Sequence, residues 1–183
     1  MSLWATYHMT LGVLQAGVPG DLVECGVFAG VHPAVMARAC EDAGQQRPIH
    51  LFDSFTGIPS PTAEDGAAGK SIEGKAACSS DAVREHLERW GVKAELVYHE
   101  GLFARTMPQA NIGAIAVLRV DADLYASTQV VFDHLYPKLS CGGWCCVDDW
   151  GLAGCRQAVL EALPQEAMEP VYWQKGAKWG YEA

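Results

Sequence analysis

Several features that identify common protein classes are missing from this sequence. Lys and Arg form no cluster, and acidic residues outnumber basic residues by 22 to 13, which gives a formal net charge of −9. This balance argues against a surface that binds nucleic acid or an anionic membrane. No apolar stretch approaches the roughly 20 residues that a membrane helix requires, and the N-terminus lacks the basic and then apolar layout of a secretory signal. We therefore expect a cytoplasmic protein with no nucleic-acid or membrane partner.

The cysteines do not have the spacing of a metal site. There are seven of them, an odd number, and their spacings match no metal-binding pattern. Cys145 and Cys146 are adjacent in a predicted strand, so we expect their side chains to point to opposite faces as small buried hydrophobes. The expected state is a set of reduced, structural thiols.

Apolar runs and helical patterns alternate along the chain, and this rhythm predicts the fold class. Half of the 183 residues are hydrophobic, enough for a single domain with a substantial core. The alternation is typical of an α/β fold with a doubly wound, mostly parallel sheet. The predicted strands of a seven-stranded sheet lie at 21–27, 49–52, 94–98, 114–120, 143–147, 168–173 and 178–181. Helices are predicted at 34–43, 81–90, 127–139 and 152–163, and residues 1–18 should form an N-terminal helix outside the sheet.

Pairs of acidic residues follow two of the predicted strands. Asp121 and Asp123 end the fourth strand, and Asp148 and Asp149 end the fifth. Sites in open α/β sheets collect outside the carboxyl ends of strands. Carboxylates gathered there repel one another unless protons or a cation intervene, and a hard cation with oxygen ligands is the simplest solution. The alternative is that these aspartates cap the helices that follow.

The first strand ends in a glycine-bearing turn between Glu24 and Gly30. The turn contains Gly26 but not the G-x-G-x-x-G pattern of dinucleotide sites, which argues against a nicotinamide enzyme. Glycines still let a bulky cofactor approach the backbone closely. Asp53 ends the second strand, where a carboxylate accepts hydrogen bonds from ribose hydroxyls. Together, these features fit a nucleoside cofactor without a diphosphate, such as S-adenosylmethionine.

The stretch from residue 55 to residue 77 is rich in Gly, Pro, Ser and Thr and shows no periodicity. Loops of this length in a compact domain usually have a function. We therefore interpret this stretch as a lid over a ligand. Ser80 is predicted to be the N-cap of the helix that follows it.

Ordered blocks of sequence resemble one known family over about 20–181, nearly the whole chain. The blocks are Glu24-Cys-Gly-Val-Phe-Ala-Gly30, Leu51-Phe-Asp-Ser-Phe-Thr-Gly-Ile-Pro59, Leu118-Arg-Val-Asp-Ala-Asp-Leu-Tyr-Ala-Ser-Thr128, Leu135-Tyr-Pro-Lys-Leu-Ser-Cys-Gly-Gly143, Cys146-Val-Asp-Asp-Trp-Gly151 and Gly154-Cys-Arg-Gln-Ala-Val159. They resemble the macrocin/novobiocin-type (TylF-like) sugar O-methyltransferases, and several blocks in order are more specific than any one of them.

The resemblance implies a Rossmann-like class I methyltransferase that uses S-adenosylmethionine and Mg²⁺ or another hard divalent cation. Asp121, Asp148 and Asp149 match the metal-binding aspartates of the family, and Asp123 matches the proposed general base. The positions assigned to the cofactor are Glu24, Gly26, Phe28, Gly30, Asp53, Ser54 and Gly101. The implied acceptor is a hydroxyl of a small molecule, a glycoside or another vicinal diol. A homo-oligomer is one option for the assembly.

Two alternatives stay open beside the sugar-type enzyme. A catechol or caffeoyl-CoA type O-methyltransferase would have Lys after the second acid and Asp-Asn at the second pair, whereas this chain has Leu124 and Asp148-Asp149. A non-catalytic relative could bind S-adenosylmethionine as a sensor or scaffold, although the presence of all four acids argues against it. The chain also departs from the family pattern, because Gly30 is followed by Val31-His32-Pro33 and Ala122 replaces a glycine between the acids.

Overall fold

A computed structural model describes residues 1–163 and the backbone of 171–174 and 178–181. The strands of the main sheet are β1 (Asp21–Cys25), β2 (Ile49–Asp53), β3 (Leu96–Glu100), β4 (Ile115–Val120) and β5 (Leu139–Val147). The helices are α1 (Leu3–Gln15), α2 (Val31–Asp42), α3 (Gly66–Ile72), α4 (Ser80–Arg89), α5 (Phe103–Thr106), α6 (Tyr125–His134) and α7 (Ala153–Ala162). No helix in this described part of the chain is both long enough and apolar enough to cross a membrane.

The five strands form one parallel sheet in the order β3-β2-β1-β4-β5. The chain runs outward from β1 to β3 and then returns to β4 on the other side of β1. The strand order therefore reverses between β1 and β4, and ligands of open α/β sheets bind at such a reversal, outside the carboxyl ends of the strands. The predicted parallel α/β architecture is confirmed at this level.

The predicted count of seven strands in one sheet is not confirmed. The last two strands, β6 (Val171–Gln174) and β7 (Lys178–Tyr181), pair with each other in antiparallel fashion and form a separate two-stranded sheet. Three residues lie between them, which suffices for a hairpin, whereas two parallel neighbours need a crossover of a dozen or more residues. The spacing of these two strands thus favours pairing with each other.

Both faces of the main sheet are covered by helices. One face packs against α1, α2 and α4 through residues such as Leu14, Met36 and Leu87. The other packs against α6 and the short 3₁₀ turn at 107–109. All six residues of β4 are buried, as expected for a central parallel strand covered on both faces. All seven cysteines are free.

Several boundaries differ from the sequence-based prediction for local reasons. α2 begins at Val31 rather than at residue 34, because Gly30 takes a left-handed conformation at its N-cap. Ser79, not Ser80, caps α4 through a hydrogen bond from the amide of Ala82. The stretch 55–77, predicted as irregular, contains α3 and a 3₁₀ turn at Ala63–Asp65. These elements depend on tertiary contacts that the sequence pattern does not show.

The two central strands approach each other closely at their carboxyl ends. The amide of Asp121 donates a hydrogen bond to the carbonyl oxygen of Cys25 at 2.8 Å. Gly26, the next residue, has a φ of +90°, and a Cβ added there would overlap the carbonyl oxygen of Asp121. Glycine is therefore required at position 26 by both backbone conformation and space.

Replacing Gly26 with alanine should destabilise the fold by about 2–5 kcal/mol, because it combines backbone strain with steric overlap against β4. Urea unfolding measures this loss. Gly17→Ala is the matched control, because Gly17 has a φ of +69° but nothing within 4 Å of an added Cβ. The control should cost only about 1–2 kcal/mol. Equal losses for the two variants would contradict the close-approach explanation.

Candidate active site

A cleft of about 420 Å³ opens at the carboxyl edge of the sheet, where the strand order reverses. This volume lies in the usual range for small-molecule sites, about 300–1,000 Å³. The loops after β1, β2, β3 and β4 all contribute to its walls. The predicted site residues that line it are Gly26, Phe28, Asp53, Ser54, Gly101, Asp121 and Asp123. Seven of the eleven predicted site residues thus line one cleft, although they come from four separate loops; Glu24, Gly30, Asp148 and Asp149 are not part of its lining.

Asp53 shapes the turn that forms one wall of the cleft. Its Oδ2 atom accepts hydrogen bonds from the amides of Val27 at 2.7 Å and Phe28 at 3.1 Å. Its Oδ1 atom accepts one from the amide of Phe55 at 2.8 Å. Hydrogen bonds to an ionised carboxylate are stronger than neutral ones. Asp53 thus holds the turns after β1 and β2 together, and it lines the cleft at the same time.

Two predicted cofactor residues lie outside the cleft lining. A Cβ added at Gly30 would meet side-chain atoms of Val83 and Leu87 in α4 at 3.1–3.4 Å, and its φ is +84°. Glycine at position 30 is therefore explained by the left-handed N-cap of α2 and by the close contact with α4, without a cofactor. The side chain of Glu24 is buried and directed at Arg119.

Arg119 joins the ends of three strands, and sequence reasoning did not single it out. Its Nη1 atom donates to Glu24 at 2.6 Å and to Asp121 at 2.9 Å. Its Nη2 atom donates to Asp148, which also contacts the amino group of Met1. Only 1% of Arg119 is exposed. The signal was present in the sequence, because an arginine inside an otherwise apolar strand is rarely buried unless it is paired.

This ion cluster (Glu24, Arg119, Asp121 and Asp148) contains three carboxyl groups and one guanidinium, so its negative charge is only partly compensated. Burial raises the pKa of Glu24, and the neighbouring Arg119 guanidinium acts in the opposite direction. Glu24 Oε2 and Arg119 Nε are buried and have no hydrogen-bond partner among the described residues. The buried charges are therefore stabilised by the ion pairs that Arg119 forms with Glu24, Asp121 and Asp148.

Asp123 and Asp149 form the other half of the acidic edge. The amide of Asp123 donates to Asp149 Oδ2 at 2.9 Å, and Asp123 has a φ of +57°. Burial, and then the charges of Asp121 and Asp123, raises the pKa of Asp149 to about 7. Burial, and then the charges of Asp121 and Asp53, raises the pKa of Asp123 to about 6. Burial is the larger cause of both pKa shifts, and repulsion between the gathered carboxylates adds to it.

The alternative role of these acids as helix caps finds no support in the described contacts. The N-cap residues of α6 and α7 are Leu124 and Leu152, and neither makes a side-chain cap hydrogen bond. The first amide of α6, that of Tyr125, is bonded by Asp65 at 2.7 Å instead. All four acids are thus free of capping roles at these two helices.

The three aspartates predicted as metal ligands do not converge on one point. Among the described residues, no group of three or more His, Cys, Asp or Glu side chains is arranged to hold a metal ion. Asp121 and Asp148 are both turned toward Arg119, whereas Asp149 accepts a hydrogen bond from the amide of Asp123. The donor chemistry nevertheless fits a hard cation, because all the available atoms are carboxylate oxygens and their mutual repulsion is only partly compensated.

Arg119→Met should lower the free energy of unfolding by about 3–5 kcal/mol, because it removes the guanidinium that pairs with the buried Glu24. Urea unfolding is the measurement. Arg38→Met is the control, since Arg38 pairs with Asp42 at an exposed position, and its loss should cost less than about 1 kcal/mol. Similar losses for the two variants would show that the cluster does not stabilise the fold.

Comparison with known proteins places the chain among methyltransferases. The family model described as Macrocin-O-methyltransferase (TylF) matches residues 6–171. The 8-demethyl-8-(2,3-dimethoxy-alpha-L-rhamnosyl)-tetracenomycin-C 4'-O-methyltransferase of Streptomyces olivaceus is 38% identical over 154 residues. That match covers 80% of this chain and 59% of the relative, so the chain spans less than two thirds of that protein.

Two further relatives are matched over more of their length. The Mycinamicin III 3''-O-methyltransferase of Micromonospora griseorubida is 33% identical, with 93% of this chain and 74% of the relative covered. The Demethyldecarbamoylnovobiocin O-methyltransferase of Streptomyces niveus is 36% identical, with coverage of 89% and 69%.

Solved structures agree with this grouping. The O-methyltransferase NovP superimposes with a TM-score of 0.83 at 33% identity, covering 92% of this chain and 74% of that chain. The calicheamicin methyltransferase CalS11 gives a TM-score of 0.74 at 24% identity, with coverage of 98% and 76%, and supports the fold alone. The parallel sheet, the family match over residues 6–171 and the identities above 30% lead to one conclusion. The chain belongs to the macrocin O-methyltransferase (TylF) family.

Proposed function

We propose that this chain is an S-adenosylmethionine-dependent O-methyltransferase that methylates a hydroxyl of a sugar or another vicinal diol with the help of a divalent cation. The observation that carries the proposal is the composition of one cleft. Gly26 and Phe28 of the turn after β1 line it, together with Asp53 at the end of β2 and with Asp121 and Asp123. A site for a nucleoside cofactor and a set of carboxylates for the acceptor thus face the same space.

The proposed donor side consists of the turns that Asp53 holds in place. Gly26 lines the cleft, and Phe28 is 56% exposed beside it. An aromatic face and open backbone suit a nucleoside. Ser54 and Gly101 extend this wall. S-adenosylmethionine would be consumed here as the methyl donor.

The proposed acceptor side is the edge that carries Asp123. In the transfer, the acceptor oxygen forms a bond to the methyl carbon while the bond between that carbon and the sulfonium sulfur breaks. The hydroxyl proton passes to the carboxylate of Asp123, which lines the cleft. A positioned carboxylate acts as general base only when it is within hydrogen-bond reach of the proton. Correct placement of both reactants supplies a large part of the rate enhancement.

Asp121, Asp148 and Asp149 are the residues that would hold the cation. When bound, a divalent cation polarises a coordinated hydroxyl and lowers its pKa. Arg119 contacts two of these three carboxylates, Asp121 and Asp148, and so orients them from below. The other oxygen of Asp148 contacts the amino group of Met1, so an ion bound by Asp148 would displace one of these two contacts.

The nature of the acceptor is inferred from the names of the relatives. The tetracenomycin relative is named for 4'-O-methylation of a rhamnosyl-bearing compound, and the mycinamicin and novobiocin relatives are also named O-methyltransferases. Family membership and the Asp148-Asp149 pair favour the sugar-type reaction over the catechol or caffeoyl-CoA type. A measurement of methyl transfer distinguishes the enzyme from the non-catalytic alternative, which would bind S-adenosylmethionine without turning it over.

Removing divalent ions should silence the enzyme. We expect EDTA followed by dialysis to abolish methyl transfer from labelled S-adenosylmethionine to a panel of methyl glycosides with vicinal diols, and Mg²⁺ to restore it. S-adenosylhomocysteine affinity, measured by calorimetry, should stay unchanged, because the donor turn contains no proposed metal ligand. Activity that is indifferent to chelation would end the metal proposal, and the absence of turnover on every glycoside would favour the non-catalytic alternative.

The two walls of the cleft should respond separately to mutation. Asp121→Asn should reduce turnover by roughly 100-fold or more while leaving S-adenosylhomocysteine affinity nearly intact. Asp53→Ala should weaken that affinity by about tenfold or more, since it removes the acceptor of three amide hydrogen bonds.

The control for this pair is Asp133→Asn, which removes an exposed carboxylate from α6 outside the cleft lining. It should change neither quantity. Parallel loss of turnover and affinity in both site variants would contradict the division into donor and acceptor walls.

A further inference from the structure

One wall of the cleft is built by a segment that contains no proposed catalytic or cofactor residue. This covering segment (residues 55–77) contributes Gly57, Ile58, Pro59, Ser60 and Ala76 to the lining. Its two ends are bonded to each other, because the amide of Ile58 donates to Lys75 at 2.9 Å and that of Gly74 donates to Ile58 at 2.8 Å. The segment therefore behaves as one closed loop that needs an attachment to the rest of the fold.

Phe55, at the start of the segment, is bonded to Asp53, and Asp65, which is only 5% exposed, attaches the part that carries α3. Its Oδ2 atom accepts hydrogen bonds from the amide and the hydroxyl of Thr62 at 2.8 and 3.1 Å. Its Oδ1 atom accepts a hydrogen bond from the amide of Tyr125 at 2.7 Å. One carboxylate thus joins the covering segment to the start of α6, 60 residues further along the chain.

The start of α6 requires such a partner. Leu124 occupies the N-cap position and makes no side-chain cap hydrogen bond, so the first amides of the helix need an acceptor from elsewhere. A negative charge is favoured at the positive end of the helix dipole. Because α6 follows Asp121–Asp123 almost directly, Asp65 connects the covering segment to the loop that carries the proposed base.

Two glycines leave room for this carboxylate. A Cβ added at Gly154, in α7, would overlap Asp65 Oδ1, and one added at Gly69, in α3, would overlap Asp65 Cβ. Neither glycine has a positive φ, so backbone conformation does not explain them. Both glycines are explained by close packing against Asp65, which is thereby enclosed by α7 and α3 as well as by its hydrogen bonds.

We propose that Asp65 is a positioning residue for the acceptor, which sets the covering segment against the loop of Asp123. The proposal rests on the proposed methyltransferase function. Asp65 acts through the wall formed by Ile58, Pro59 and Ser60 and by Leu124 and Ser127 of the loop and α6. It makes no hydrogen bond to the donor turn, which Asp53 holds separately.

The attachment itself can be tested without any ligand. Trypsin can cut the covering segment after Lys70 and Lys75, which are both exposed. Asp65→Ala should accelerate this cleavage by about five- to tenfold, as expected when a cap and its tertiary link are lost. Asp65→Asn should have an intermediate effect, because it keeps one carbonyl oxygen for Tyr125. Glu64→Ala, at an exposed neighbouring position, is the control and should leave the rate unchanged.

The functional role is tested by kinetics on the methyl glycoside that the wild-type protein turns over best. Asp65→Ala and Asp65→Asn should raise the acceptor KM, by about tenfold for alanine, while S-adenosylhomocysteine affinity stays within about twofold. Gly154→Ala should reproduce this pattern from the side of α7. Gly12→Ala, with nothing within 4 Å of its added Cβ, is the matched control and should behave as wild type.

Several results would overturn the inference. Unchanged cleavage in Asp65→Ala would show that the carboxylate does not hold the segment. Faster cleavage with an unchanged acceptor KM, or equal losses of acceptor and donor binding, would show a purely structural role. An inactive wild-type protein would instead refute the proposed function, and the acceptor role with it. If Asp65→Ala does not fold, Asp65→Asn and Gly154→Ala decide the question.

Discussion

A single guanidinium lies where three strands of the sheet end, and the geometry of the acidic edge depends on it. Arg119 bonds Glu24 on β1, Asp121 after β4 and Asp148 after β5. The cost of removing charges from water offsets much of what a buried ion pair contributes, but losing one partner leaves the other charge buried and unpaired, which destabilises far more than breaking a surface pair. The ion pairs of Arg119 join the central strands across their carboxyl ends. They also set the orientation of the Asp121 and Asp148 carboxylates toward a ligand.

The site combines this rigid centre with two separately attached walls. Asp53 holds the donor turn through backbone amides, and Asp65 holds the covering segment through the start of α6. Both carboxylates lie at positions where backbone amides would otherwise lack partners, which is why short acidic side chains suit them. In a cleft assembled in this way, the carboxylates around Arg119 keep their positions, while the shapes of the donor turn and the covering segment can differ to suit ligands of different size.

The sequence predicted the strands well and the long-range contacts poorly, for physical reasons. Buried parallel strands such as 114–120 are continuous apolar runs, and their acidic ends stand out, so Asp121, Asp123 and Asp53 were found at the cleft. By contrast, α3 has a sequence rich in glycine and alanine that shows no clear helical pattern, and its position depends on Asp65. The partner of Arg119 on β1 is 95 residues away, a distance over which local patterns carry no information. The two terminal strands were assigned to the main sheet because periodicity reports a strand but not its neighbour.

The strand order has a consequence for how the protein acquires its structure. β1, β2 and β3 are neighbours both in sequence and in the sheet, whereas β4 must return across the whole first half of the chain to reach β1. Contacts of high sequence separation form late because of the entropy of loop closure. We therefore expect β1, β2 and β3 to pair before β4 joins them. Because Glu24 lies on β1 and Arg119 on β4, the buried carboxyl group gains its guanidinium partner only when β4 pairs with β1 in the correct register.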